Sequence, residues 1–291
     1  MKYLHAIKGG FIALVLFSIG TFFLAGIGPS EDVRIILTVS TFLFAILAGF
    51  FISRLNNRYN KIIESTSIED SYFLSLYEVS TLISKSFSKR IGKLIDNYYI
   101  LAYDFDAGKY YKSSSKYFLA IYDEMRLIFK KIYSGKKSRP SDSPFGRILI
   151  YMGKIEEARN KSAVLVLEKL RKGQWAILFF LGAIIIFSIF YLKVPQLYSQ
   201  VITVLLSTSI VLVLLILRDL QNLRIGTGES LLAESGQEVF EFIGELRYYN
   251  QESIESGLTK VPSNIKKYRL GLHKPGEKPR VKIVTNRNYK H

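Results

Sequence analysis

Four long stretches of the chain carry no charged residue: Gly9 to Ile27, Ile35 to Ile52, Trp175 to Leu192 and Val201 to Leu217, of 19, 18, 18 and 17 residues. A helix rises ~1.5 Å per residue and the hydrocarbon core of a bilayer is ~30 Å thick. Each block therefore just crosses a membrane as one helix, with a few interfacial residues added. The competing reading, buried helices of a soluble protein, does not account for four such blocks in one chain. Lys2 and Lys8 precede the first block as in a secretory signal. The run is long for a signal and no A-x-A cleavage site follows it, so the block is expected to remain as a span.

The blocks fall into two pairs. Gly28 to Asp32 joins the first pair, and Lys193 to Gln200, containing Pro195, joins the second. This predicts two membrane hairpins. Between them the period changes. Ile68, Tyr72, Leu76, Val79, Ile83, Phe87, Ile91, Leu94, Tyr98, Leu101 and Phe105 recur every three or four positions, which predicts helix over 61–105 with one apolar stripe. The serines at 84–88 break or cap it, with Ser88 the candidate N-cap. A second stripe (Phe118, Ile121, Tyr122, Met125, Phe129, Ile132) predicts helix over 115–133. Arg139 to Pro144 is a break, and Ser143-Pro144 suits the N-cap and first position of a helix. That helix is expected to run unbroken through Lys172 into the third span.

Residues 229–248 suit a short amphipathic helix with Val239, Phe242, Ile243 and Leu246 on one face. Beyond 258 the chain changes character: Pro262, Pro275, Pro279, a single acid (Glu277) and ten Lys/Arg, with Val281 to Val284 a candidate strand. This basic tail reads either as solvated chain or as a segment docking on anionic headgroups. The expected fold is an all-α membrane protein. Its parts are a first hairpin (1–60), a helical segment (61–172), a second hairpin (173–220), a short helical region (221–257) and a basic tail (258–291).

The net charge of +16 sharpens the topology more than it suggests nucleic acid. Residues 54–172 hold 23 Lys/Arg against 13 Asp/Glu, and 218–291 hold 13 against 9. Near the span ends, Lys2, Lys8, Arg54, Arg58, Lys61, Lys169, Arg171, Lys172, Arg218 and Arg224 lie on one side, Arg34 and Lys193 on the other. The positive-inside rule puts the first side, with both termini and 53–174, in the cytoplasm of an inner-membrane protein. Arg54, Arg58, Lys61, Lys169, Arg171 and Lys172 are candidates to face lipid headgroups.

Enzyme signatures are missing. There is no cysteine, and the three histidines (His5, His273, His291) are far apart, so neither thiolate chemistry nor a metal cluster is legible. Gly135 to Ser138 lacks the upstream glycine of a P-loop, and Gly226 to Glu229 lacks the strand context of a dinucleotide fingerprint. Asp104 and Asp106 read as a solvated helix end or a weak cation site without further ligands. Neither a cofactor nor a metal is expected. No span contains an internal ionisable residue, which disfavours ion-coupled transporters and voltage sensors. Two faces remain as helix-packing or pore-lining candidates: Thr41, Ala45 and Ala48 with Gly49 and Ile52 in the second span, and Thr203 and Ser207 after Ser199 in the fourth.

Leu47 to Tyr59, an apolar helix with a small–Phe step leading into an Arg/Asn/Tyr stretch, resembles the end of the second helix in bestrophins and in bacterial bestrophin-like proteins. Glu64, Glu69, the Tyr72–Leu76 stripe, Asp96 to Tyr98, Trp175 and Leu215 to Leu220 are similar to the regions that follow in the bestrophin-like family. The likeness covers roughly residues 10–225. It implies a homo-oligomeric anion channel with an apolar neck, for which Gly49, Phe50 and Phe51 are the matching residues. The calcium-binding acidic cluster of animal bestrophins has no counterpart here. The alternative expectation is a non-conducting adaptor or sensor that binds a partner or anionic lipid through its basic segments. The bilayer, further copies of the chain and anions are the expected partners; nucleic acid is not.

Overall fold

A computed structural model describes residues 4–104, 110–133, 144–223, 234–255, 259–274, 277–286 and 288–289. Phe105, Asp106, the 139–143 break, Gly135 to Ser138 and Gly226 to Glu229 lie outside the described residues. The chain divides into two compact units, 1–59 with 169–227, and 60–168 with 228–291.

The first unit contains four helices long and apolar enough to cross a membrane. They are α1 (Leu4–Phe23), the outer part of α2 (Glu31–Ile83), α6 (Lys172–Tyr191) and α7 (Leu197–Gln221). The chain is therefore a membrane protein by the character of its helices. α1 packs along α7, where Gly9 and Gly10 admit Leu215 and Leu212; a Cβ on Gly9 would meet Leu215 at 2.7 Å. Small residues permit such close approach where lipid supplies no hydrophobic drive between helices. Phe44, Ala48, Phe51 and Leu55 of α2 pack against Leu178, Leu181, Ile185 and Ile189 of α6 and Leu217 and Leu220 of α7.

The second unit is a helical core carrying a small sheet. Its helices are the rest of α2, α3 (Lys85–Asp104), α4 (Tyr110–Tyr133), α5 (Pro144–Leu167), α8 (Glu234–Phe242) and α9 (Gln251–Glu255). Phe73 and Leu76 of α2, Phe87, Ile91, Ile95 and Tyr98 of α3, Phe118, Ile121 and Met125 of α4, and Ile148, Met152 and Ile155 of α5 form one buried cluster. The stripes read from the sequence are thus core faces, except that Ile68 is exposed. Pro144 opens α5 as expected, because a first-turn residue needs no amide donor.

The remaining elements are three short strands, β1 (Tyr248–Asn250), β2 (Lys267–Gly271) and β3 (Val281–Thr285), in the order β1-β2-β3. β1 and β2 are parallel; β2 and β3 are antiparallel, with Ile283 opposite Arg269 and Val281 opposite Gly271. β3 coincides with the candidate strand. β2 turns part of the expected tail into ordered structure and β1 lies within the region expected to be helical, so the fold is mostly helical with a terminal sheet rather than helical throughout.

Four expectations are corrected. The α2–α3 junction is capped by Ser84, whose Oγ accepts the Phe87 amide at 3.2 Å; Ser88 lies inside α3, buried. The helix expected to enter the third span unbroken stops at Leu167, and α6 starts at Lys172. There the Leu170 amide donates to the Gln221 side chain at 3.0 Å instead of to a helical carbonyl, and Gln174 Oε1 accepts the Arg171 amide at 2.8 Å to begin the new helix. α8 ends at Phe242, because Gly244 adopts φ 86° and reverses the chain. Its buried apolar side chains are Val239 and Phe240, with Gln237 buried beside them, while Phe242 is half exposed. Finally, Asp104 is neither a solvated helix end nor a bare carboxylate. It accepts Tyr248 Oη at 2.6 Å and Asn250 Nδ2 at 2.9 Å and pairs with His273 Nε2 at 2.7 Å, tying the sheet to α3.

Candidate pore-lining face and its buried charges

α2 presents two faces through the first unit. Phe44, Ala48, Phe51, Leu55 and Arg58, spaced by four and three, are buried. The expected neck residues split across this division. Phe51 is 5% exposed and belongs to the core, whereas Phe50 is 62% exposed although the two rings lie 5.8 Å apart. Gly49 is also exposed, and a Cβ there would meet nothing within 4 Å. Thr41 and Ala45 are exposed above Gly49 at four-residue spacing; Ala48 is buried and Ile52 half-buried. The structure thus brings Thr41, Ala45, Gly49 and Phe50 to the outer surface of one helix and takes Ala48 and Phe51 away from it. Ser53, Arg54, Asn56 and Asn57 continue the exposed side.

Thr203 and Ser207 on α7 are almost wholly buried. Thr203 Oγ1 donates to the Ser199 carbonyl at 2.8 Å within its own helix. Within this chain neither side chain reaches the surface.

Of the basic candidates, Arg54, Lys61, Lys169, Arg171 and Lys172 are exposed. Arg58 is the exception. It is 3% exposed, and both terminal nitrogens donate to the Gln221 carbonyl at 3.2 Å. Gln221 Oε1 also accepts Trp175 Nε1 at 2.9 Å. Arg58 therefore closes the C-terminal end of α7, where a cation complements the carbonyl end of the helix dipole, and does not face lipid.

Two buried charges among the described residues of the first unit were not recognised in the sequence. Asp219, 0% exposed, accepts the Ala6 amide at 2.8 Å in the first turn of α1. Lys193, 5% exposed, donates to the carbonyls of Thr21 and Leu24 at the other end of α1. Each charge has the sign its helix end demands. Both flank apolar blocks, a position that reads as an interfacial charge until the partner, in one case 213 and in the other 172 residues away, is known. With the charges placed at the ends, the faces between them remain apolar or hydroxyl-bearing. Such a surface can pack against a further helix or line an apolar constriction. Among the described residues no cluster of three or more metal-binding side chains occurs.

Compared with known families, residues 29–222 match the model of the bestrophin-like domain. No curated protein and no solved structure matches the chain.

Proposed function

We propose a function on one premise: the chain belongs to the bestrophin-like family. Several copies assemble around one axis in the inner membrane and form an anion-permeable pore, with both termini and the second unit on the cytoplasmic side. The orientation rests on the Lys/Arg excess beside the span ends.

The observation that carries this reading is the exposed Gly49–Phe50 step. Glycine inside a helix costs about 1 kcal/mol relative to alanine. At Gly9 that cost is offset by Leu215 packing against the missing side chain. At Gly49 no described residue of the chain occupies the space. The small residue then serves something outside the chain, and the adjacent Phe50 supplies an apolar group for the constriction. Such a constriction gates ions by dewetting and needs no ionisable group in the span. A constriction of this kind requires several helices around one axis, which favours a closed homo-oligomer.

The test is the mass of the detergent-purified protein together with its chloride flux in liposomes. A closed oligomer that passes chloride faster than empty vesicles is expected. A monomer, or an oligomer without flux, overturns the proposal.

A further inference from the structure

The terminal sheet exposes a surface that the core of its own unit does not cover. Paired residues on adjacent strands point to the same side of a sheet. Ile283 and Val281 of β3 therefore share the side of Arg269 and Gly271 of β2. At β2 that side is buried: Arg269 pairs with Asp96 of α3 at 2.6 Å, and a Cβ on Gly271 would collide with Tyr248 Oη. At β3 the cover ends, leaving Ile283 63% and Val281 39% exposed. Around this pair Lys266, Lys267, Lys278 and Arg280 are exposed; Glu277 stands 3.9 Å from Arg280, and Asp96 and Glu245 are held against Arg269 at 2.6 and 3.5 Å.

We infer that the β2–β3 ribbon is a docking surface for an anionic lipid bilayer. Charge complementarity chooses the occupant. Four exposed cations around two uncovered apolar side chains match a headgroup layer, where the cations meet phosphates and the apolar pair enters the acyl boundary; the acids on this side, Asp96 and Glu245, are taken up by Arg269. A polyanion such as nucleic acid would satisfy the charges but leave Val281 and Ile283 idle. Pairing of two β3 edges from separate copies would bring Lys282 of each into one ladder, and like charges across strands repel. The free amide and carbonyl groups along β3 stay hydrated at headgroup depth, so docking there leaves no backbone group dry. This inference goes beyond the pore reading and holds whether or not the chain conducts.

The chain has no cysteine, so an environment-sensitive fluorophore on Ile283→Cys of the full-length protein reports this surface alone. Lys282→Cys, on the opposite side of the strand, is the control. In bilayer discs containing phosphatidylglycerol the Ile283 probe should shift to shorter wavelength, and in phosphatidylcholine discs it should not. The shift should vanish in about 1 M salt, where the screening length falls to ~3 Å. Lys266→Glu with Lys267→Glu and Lys278→Glu should abolish it without changing the thermal melt. Affinity should fall about fivefold for each basic residue neutralised. The same shift in both lipids, with energy transfer between differently labelled copies, would mean that a second copy covers the ribbon. No shift in either lipid would mean a solvated ribbon. Either result overturns the inference, and neither depends on chloride flux.

Discussion

The ammonium of Lys193 reaches to 2.6 Å from the carbonyl oxygen of Thr21, and with Leu24 it closes the C-terminal end of α1. Asp219 holds the opposite end through the Ala6 amide. α1 is thus gripped at both ends by charges carried on or beside α7. Hydrogen bonds to a charged group contribute ~1.5–3 kcal/mol. Lys193→Met, which keeps the stem and removes the charge, should destabilise the protein by about that amount. Asp219→Ala should cost about 1–2 kcal/mol, in the range of a lost helix cap. Thermal unfolding in detergent measures both, and unchanged melts would show that the grip contributes nothing.

Asp70 carries a pH dependence. The charge-free block of α2 ends at Ile52, and Asp70 belongs to the second unit. It accepts Tyr99 Oη at 2.5 Å and Ser235 Oγ at 2.6 Å, with Glu238 nearby. Burial, which outweighs the two hydrogen bonds, pushes its carboxyl from 3.8 up to about 6. The folded state therefore holds the proton more tightly than the unfolded chain. The resulting stabilisation is complete below pH 3.8 and is lost as pH rises to about 6. It amounts to about 3 kcal/mol, because each tenfold gain in proton affinity is worth ~1.4 kcal/mol. Asp70→Asn removes the cost of burying the charged carboxylate, so its stability relative to wild type should be greater at pH 7.5 than at pH 5. Urea titrations at the two pH values check this. An identical difference at both would contradict it.

The membrane helices were legible because 17 or more consecutive uncharged residues have few other uses. The stripes of α3 and α4 were legible because one face of each helix is core. What escaped depends on partners distant in sequence. The break at Leu170 is made by Gln221, 51 residues away, and Gln221 also takes Arg58, 163 residues away. β1 is three residues long and β2 carries Lys267 and Arg269, so neither has an apolar alternation to read. Arg269 is buried because Asp96 and the Leu246 carbonyl receive it. Phe50 and Phe51 look alike in sequence; only the spacing of Phe44, Ala48, Phe51 and Leu55 against α6 and α7 separates them.

Topology can be read with single cysteines. Ser30 and Gln196 lie in the links after α1 and α6, and Asn160 is exposed on α5. An impermeant maleimide applied to intact cells should label Ser30→Cys and Gln196→Cys and spare Asn160→Cys. The reverse pattern inverts the orientation, and labelling at all three is incompatible with the four-span arrangement.

Two glycines should respond oppositely to alanine. Gly271→Ala drives a methyl into Tyr248 Oη and should cost at least the ~1–3 kcal/mol of an overpacked core. Gly49→Ala meets nothing within 4 Å and should leave the fold of the chain as stable or up to ~1 kcal/mol more so. Its effect should appear instead in oligomer formation or flux. Loss of stability on Gly49→Ala would show that the position is packed within the chain.

The contrast between Phe50 and Phe51 tests the pore most directly. Phe51→Ala empties a core site and should lower stability by ~3–5 kcal/mol. Phe50→Ala removes an exposed ring and should leave the melt nearly unchanged. The decisive measurement is chloride efflux from liposomes holding equal amounts of wild type or Phe50→Ala protein. Wild-type efflux is expected above that of empty vesicles, with a further severalfold rise for Phe50→Ala as the constriction widens and wets. Efflux equal to that of empty vesicles for both proteins would contradict it.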